Sequence, residues 1–327
     1  VLRASETLLL RVAAKPHMLT AALIADIEHA SFALLDYLGR LLAGKPVSAL
    51  AMFAQYRVVQ EAAGAERVHP ADLWVIDWQW RDLPADKGAV SRQPDAATRA
   101  LLESQLLVLM KAPNAAVAAT TAARMGDICA GLGVGATQPH IATFWKLASA
   151  VFEAQAHSLL GIDVFSKRVA SRLLAQFRAL ERGGADVSER LAQDLLFFCA
   201  QAVPAGEGGD PLQTPRLTAV RHTYGLNDHV AIDYSISPLG RADPAVIFQA
   251  RKRVAAAKEA WSTVAGGEMH RISTLSEPFA LVAVSLTGYV PAAGVVPMMM
   301  PVAGSRWIPL GSPLAVTFIG RSPVTGT

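Results

Sequence analysis

Across most of the chain, apolar residues recur at steps of three and four. Between Leu19 and Leu42 the positions Leu19, Leu23, Ile24, Ile27, Leu34, Leu35, Leu38, Leu41 and Leu42 follow this spacing, and Asp26, His29, Asp36 and Arg40 occupy the other stripe. Only a helix gathers such positions on one face, and this one would make about six turns. Gly44-Lys45-Pro46 stops it, because proline pushes the preceding residue out of the helical region. A second helix is expected over Val47 to Ala63. Helical spacing resumes at Asp95, with segments predicted over 95–111, 113–131, 139–161, 162–182 and 187–203, and further helices over 243–265 and 268–286. Asp186-Val-Ser-Glu189 reads as a capped start, and Asp243-Pro244 as an N-cap followed by a first helical residue. In the segment 139–161, Thr143, Phe144, Trp145, Ala148, Val151, Phe152 and Leu159 form one face, and Lys146, Glu153 and His157 another.

Composition agrees with this pattern. The 327 residues include 59 alanines and are 52% hydrophobic, which favours helix and predicts an all-α fold class. So apolar a chain is not intrinsically disordered, and two cysteines do not make a disulfide scaffold. No fixed-period repeat is evident.

Two stretches break the pattern. Residues 69–94 carry three prolines, three tryptophans and no sustained period, and read as a linker with an aromatic knot. Residues 204–216 are turn chemistry. The expected organisation is therefore a partial first helical module over 1–64, a Trp-rich linker over 65–94, a second helical domain over 95–287 and an irregular Pro/Gly-rich tail over 288–327. The opening VLRASETLLLRVAA reads as a helix already under way, so residue 1 is expected to be a cut edge, and no signal-peptide pattern is present.

The sequence pI near 9.0 invites a nucleic-acid partner, but the charges are unevenly spread. Residues 1–277 hold 28 Lys+Arg against 27 Asp+Glu, and the last 50 hold only Arg306 and Arg321. A near-neutral body without a basic run lacks the footprint that counterion release requires, so no nucleic acid is expected. Residues 278–305 carry no charge, yet Pro291, Pro297 and Pro301 interrupt them. Only Phe279 to Val290 is unbroken, short of the roughly 20 residues of a spanning helix, so no membrane span is expected.

The motifs of catalysis are weak. Gly39-Arg-Leu-Leu-Ala-Gly44-Lys45 matches a phosphate-binding loop up to its last position, but no strand precedes it and Pro46 replaces the magnesium-binding hydroxyl. It reads as a helix C-terminus. Gly131-Leu-Gly133-Val-Gly135 follows a helical stretch with no acidic residue at the ribose-binding distance, and reads as a flexible turn between helices. Cys129 and Cys199 lie 70 residues apart with no CxxC, and are expected to be small core residues. No metal, cofactor or catalytic residue is predicted. A phosphoacceptor histidine on a helix needs exposure and a cation about one turn on. His29 and His157 fall on solvent-facing stripes, but neither has a basic residue at i+3, and a local contact of His157 with Glu153 is the simpler expectation. Trp74, Trp78 and Trp80, interleaved with Asp77, Arg81 and Asp82, are the densest aromatic feature and the candidate partner-binding residues, with the pinning of helical domains as the competing role.

The segments ASFALLDYLGRLLAGKPVSALAMFAQYR, GAERVHPADLWVIDWQW, TFWKLASAVFEA, SKRVASRLLAQF, VSERLAQDLLFFCAQA and QARKRVAAAKEAWSTVAGG resemble the N-terminal region of the CheA-type hybrid sensor histidine kinases (PilL/ChpA) of the type IV pilus chemosensory system, a region shared by the scaffold protein FimL. The resemblance covers about residues 10–285. It implies helical bundles of degenerate histidine-phosphotransfer type, a cytoplasmic location, and protein partners among receivers or pilus-associated scaffold proteins. The phosphotransfer pattern of His-x-x-Lys/Arg followed by Gly or Ala is absent from this chain, as are the kinase nucleotide boxes. The expected function is thus a non-catalytic scaffold or docking region in a phosphorelay controlling twitching motility, kinase activity belonging to the implied parent. The alternatives are an atypical phosphotransfer module using His157, or a helical adaptor unrelated to signalling.

Overall fold

A computed structural model describes residues 1–202, 214–240, 243–287, 299–302 and 306–309. It is all-α, with eleven α-helices among the described residues, and the chain divides into two compact units, Val1–Arg241 and Ala242–Thr327, a coarser partition than the four segments drawn from the sequence.

The first unit opens with α1 (Leu2–Ala14), α2 (Ala21–Leu42) and α3 (Phe53–Ala63). Thr20 caps α2 by accepting from the Leu23 N–H, and Gly64 ends α3 in the left-handed conformation that glycine tolerates best. Gly39 lies inside α2, and Gly44 turns the chain just after it, which is the helix-terminus reading of the GxxxxGK match. Ala4 and Leu8 of α1 join Phe53, Tyr56 and Val59 of α3 in the main core.

Six helices follow: α4 (Ala96–Met110), α5 (Ala115–Gly135), α6 (Pro139–Ala156), α7 (Val164–Glu181), α8 (Glu189–Gln201) and α9 (Pro215–Thr223). Most start at a capping side chain: Asp95, Asn114, Asp163 and Ser188 each accept a backbone N–H of the first turn. The central helix is α6, which packs on α5, α8 and α9. Thr143, Phe144 and Trp145, and then every residue from Leu147 to Gln155, are buried. A helix enclosed on all sides tolerates few charges, and this corrects the two-faced reading of the segment: Glu153, assigned to a polar stripe, is inside. The helix also stops earlier than expected. His157 is its exposed C-cap rather than a residue of a helical face, and Ser158 follows at φ 57°.

The glycines at 131–135 are a second correction. They are helical, not a turn, and the chain at Val90–Gln93 crosses directly over Gly131 and Gly135, which leaves no room for a Cβ there. A Cβ on Gly131 would stand 2.4 Å from the Val90 carbonyl oxygen, and one on Gly135 1.9 Å from that of Arg92. The crossing is fixed by hydrogen bonds from Arg92 N to Gly131 O and from Gln93 Nε2 to Gly135 O. Replacing Gly131 with valine is expected to lower the midpoint of thermal unfolding by several degrees, since backbone must shift to make room; calorimetry of the full chain checks this. An unchanged midpoint would remove the crossing as the reason for the glycine.

The last residues of the unit return to its first helices. Leu239 is fully buried with Ala33, Ala51 and Met52, Gln55 Nε2 donates to its carbonyl, and Ser237 Oγ donates to Ala51 O. Gly240, at φ 69°, lies where a Cβ would stand 2.6 Å from Ala33 N.

In the second unit, α10 (Pro244–Ala265) starts at Asp243, which caps it, and runs through a 3-10 segment into α11 (Ser276–Thr287). Ala257 and Val264 are buried, and Trp261 meets Phe279 edge-on at 6.5 Å. Strands β1 (Met299–Val302) and β2 (Arg306–Pro309) pair antiparallel, Met299 opposite Pro309. The rest of the stretch read as an irregular tail lies outside the described residues. Among those residues no helix is long and apolar enough to cross a membrane.

Candidate functional site

Residues 65–94 lie within the first unit. His69 begins a short 3-10 turn over Pro70–Leu73 with a reciprocal cap: its Nδ1 accepts from Ala71 N, and Asp72 Oδ2 accepts from His69 N. From Trp74 to Asp86 the chain carries no helix, strand or turn, and Trp74 itself is extended. Contrary to the sequence reading, the part from Trp74 to Trp80 has a period, and the period is two. Trp74, Ile76, Trp78 and Trp80 are half-buried against the core, whereas Val75, Asp77 and Gln79 are exposed, Val75 at 95%. Alternate side chains of an extended chain point to opposite faces, so one face of the segment is entirely aromatic and aliphatic.

The three predicted tryptophans are brought together on that inner face. Trp74 meets Phe197 and His229 at 5.7 and 5.9 Å, Trp78 stacks on Tyr224 and meets Trp80 edge-on, and Trp80 meets His140. Arg81 lies over the Tyr224 ring and donates to Thr223 O. The side chains therefore clamp the segment to α6, α8 and the end of α9. His157, exposed after α6, is not among them.

Ahead of the segment is an ionic cluster that the sequence reading missed. Asp194, on α8, is completely buried. Its Oδ1 accepts from Arg67 at 2.6 Å and its Oδ2 from Arg172 of α7 at 3.0 Å. Arg67 also reaches Asp72 at 2.5 Å, and Arg190 bonds the same Asp72. Burial pushes the Asp194 carboxyl above its usual range, and the guanidiniums of Arg67, Arg190 and Arg172 oppose that push. His69 lies 3.5 Å from Asp194, yet burial and then the Arg67 charge lower it to about 3. It is therefore neutral at pH 7, and the approach is no ion pair. With Nδ1 accepting, the proton resides on Nε2, among the rings of Phe165, Phe197 and Phe198. The signal for the cluster was present: Asp194 interrupts the apolar stripe of Leu191, Leu195 and Phe198, and a carboxylate on a buried stripe must find partners.

Two further buried charges organise α9. Arg221, 3% exposed, donates to the carbonyls of Cys199, Ala200 and Ala202 at the end of α8, and to those of Leu226 and His229 in the loop beyond α9. The orphan carbonyls of a helix C-terminus and its negative dipole end are thereby met by one cation. Glu153 accepts from Leu217 N at 2.7 Å, in the first turn of α9. Burial raises it to about 7. The cysteines are buried free thiols whose burial pushes them well above the usual thiol range.

The Glu153 shift sets a pH dependence. Its folded value lies above that of an unfolded glutamate, near 4.3, so this contribution to stability is complete below that value and is lost as pH rises through about 7. Glu153→Gln keeps an acceptor for Leu217. It is expected to flatten the wild-type decline, on the order of 1 kcal/mol per pH unit over that window, in urea titrations at pH 5 and 7. Parallel curves for the two proteins would refute the assignment.

Residues 87–237, 151 of the 327, match the family model described as the second domain of the FimL scaffold protein. The matched interval runs from just after the tryptophan segment through α9 and the loop beyond it. No curated protein and no solved structure matches the chain.

Proposed function

We propose that this chain is a non-catalytic docking region of a CheA-type hybrid sensor kinase of the PilL/ChpA kind, acting in the cytoplasm within the phosphorelay that controls type IV pilus motility. The observation that carries the proposal is the match of residues 87–237 to a scaffold-protein domain. The use of charge inside the first unit supports it. Asp194, Arg221 and Glu153 are engaged in bonds between elements of the fold rather than gathered around an open cleft. Its partners are receiver proteins or pilus-associated scaffold proteins, and the tryptophan segment is the surface assigned to them.

Incubation with an active chemosensory kinase core and radiolabelled ATP is expected to leave no acid-labile phosphate on His29 or His157. Label on His157, abolished by His157→Gln, would establish the phosphotransfer alternative instead. In the source organism, deletion of residues 87–237 from the genomic copy is expected to shrink the twitching zone on agar. Undiminished motility would overturn the scaffold reading.

A further inference from the structure

Helix α2 has two faces, and the fold uses one of them. Ala30 and Ala33 are buried, Leu239 packs with Ala33, and Gly240 presses on the Ala33 backbone. On the opposite face Ile24, Glu28, Ser31, Leu35, Leu38 and Leu42 succeed one another at steps of four, three, four, three and four. All six are exposed, Leu42 at 90%. Such alternation is the heptad seam along which one helix stays packed on another over several turns. Apolar residues exposed singly need no account, but a run of them along one seam marks an interface.

A glycine at the margin of the seam points the same way. Gly39 lies in the interior of α2, where glycine costs helix stability relative to alanine, and a Cβ there would meet nothing within 4 Å. The fold of the single chain therefore gives no reason for it, whereas close approach of another helix does. One heptad earlier on the same margin is Phe32, half-buried and part of neither core cluster.

The charges select the occupant. Glu28 and Lys45 flank the leucines from either end, both exposed, and neither forms an ion pair among the described residues. A second copy running parallel would set Glu28 against its own counterpart, which is unfavourable. A second copy running antiparallel, with Leu35 against Leu38, sets Ser31 against Leu42 and Glu28 against Lys45, and two-fold symmetry makes each contact twice. The Ser31 hydroxyl is already satisfied, since it donates to Ile27 O. In the same register Phe32 of one copy meets Gly39 of the other, the large ring over the residue without a side chain.

We propose that α2 pairs antiparallel with α2 of a second copy, so that the protein is a two-fold dimer. The pairing is independent of the docking role and of the partners assigned to it.

The test is made on the full chain. Sedimentation at micromolar concentration is expected to give twice the 34.6 kDa of one chain. Leu38→Glu with Leu42→Glu should give the mass of a single chain with helical circular dichroism unchanged. Glu28→Lys or Lys45→Glu alone turns two attractions into two repulsions and should weaken the dimer about fivefold or more, and the two together should restore it. Gly39→Leu fills open space in the single chain and favours helix, yet should weaken the dimer about tenfold. A chain that stays single up to about 100 μM overturns the proposal, whether its seam is then bare or covered by another part of the chain. So does a dimer that the two glutamates leave intact, or one in which the double reversal is no tighter than the single ones.

Discussion

Replacing Asp194 with alanine is expected to cost about 3 kcal/mol of stability and to lower the thermal midpoint by roughly 6–12 °C. The carboxylate joins Arg67, ahead of the tryptophan segment, to Arg172 on α7. Its removal leaves guanidiniums converging on an apolar hole, and a cavity beneath them. Asp194→Asn keeps the shape and loses the charge, and should fall between the two. Calorimetry on all three proteins decides the matter. A loss below 1 kcal/mol for the alanine variant would mean that the arginines simply turn outward to water and that the cluster is decorative.

The second large effect is at Arg221. Methionine fills a similar volume but donates nothing, so the carbonyls of Cys199, Ala200, Ala202, Leu226 and His229 lose their shared partner. A buried carbonyl left unsatisfied costs about 1–3 kcal/mol. Water reaches some of these groups once the loop loosens, so the expected loss is about 3–4 kcal/mol rather than the full sum. Lysine should recover little, because a single ammonium with three donors does not span two sets of carbonyls as the planar fork does. Faster amide exchange across residues 224–229 in both variants would locate the damage; unchanged exchange there would contradict the role assigned to the guanidinium.

Much of this architecture was legible in the sequence, for reasons that differ by element. The ends of α2, α4, α7 and α10 fall within two residues of their predicted positions, because a capping side chain or a proline-glycine stop marks each one. Helix α9 was not foreseen. It has nine residues, and its buried set is Leu217, Val220 and Arg221, so a charged residue occupies a core position and hides the period. The same blindness applied to Glu153 and Asp194, where polarity was read as exposure although burial with partners was the other solution. The tryptophans were singled out correctly as the densest aromatic feature, but their alternation with Val75, Asp77 and Gln79 was overlooked. A lone extended segment on a helical body has no neighbouring strand to announce it.

The return of Leu239 and Gly240 to α2 and α3 bears on how the unit comes into being. Gln55 and Leu239 are 184 residues apart along the chain, and Ser237 and Ala51 are 186 apart. Contacts between such distant positions form only after a large loop has closed, which slows folding and delays it during synthesis. The patch of Ala33, Ala51 and Met52 that Leu239 covers therefore stays open on the ribosome until residue 240 has emerged. Cutting the chain to the interval 87–237 would remove the waiting, but it would also strand Asp194 without Arg67 and Asp72. A fragment that keeps these closures must therefore include both α2–α3 and the residues up to Gly240.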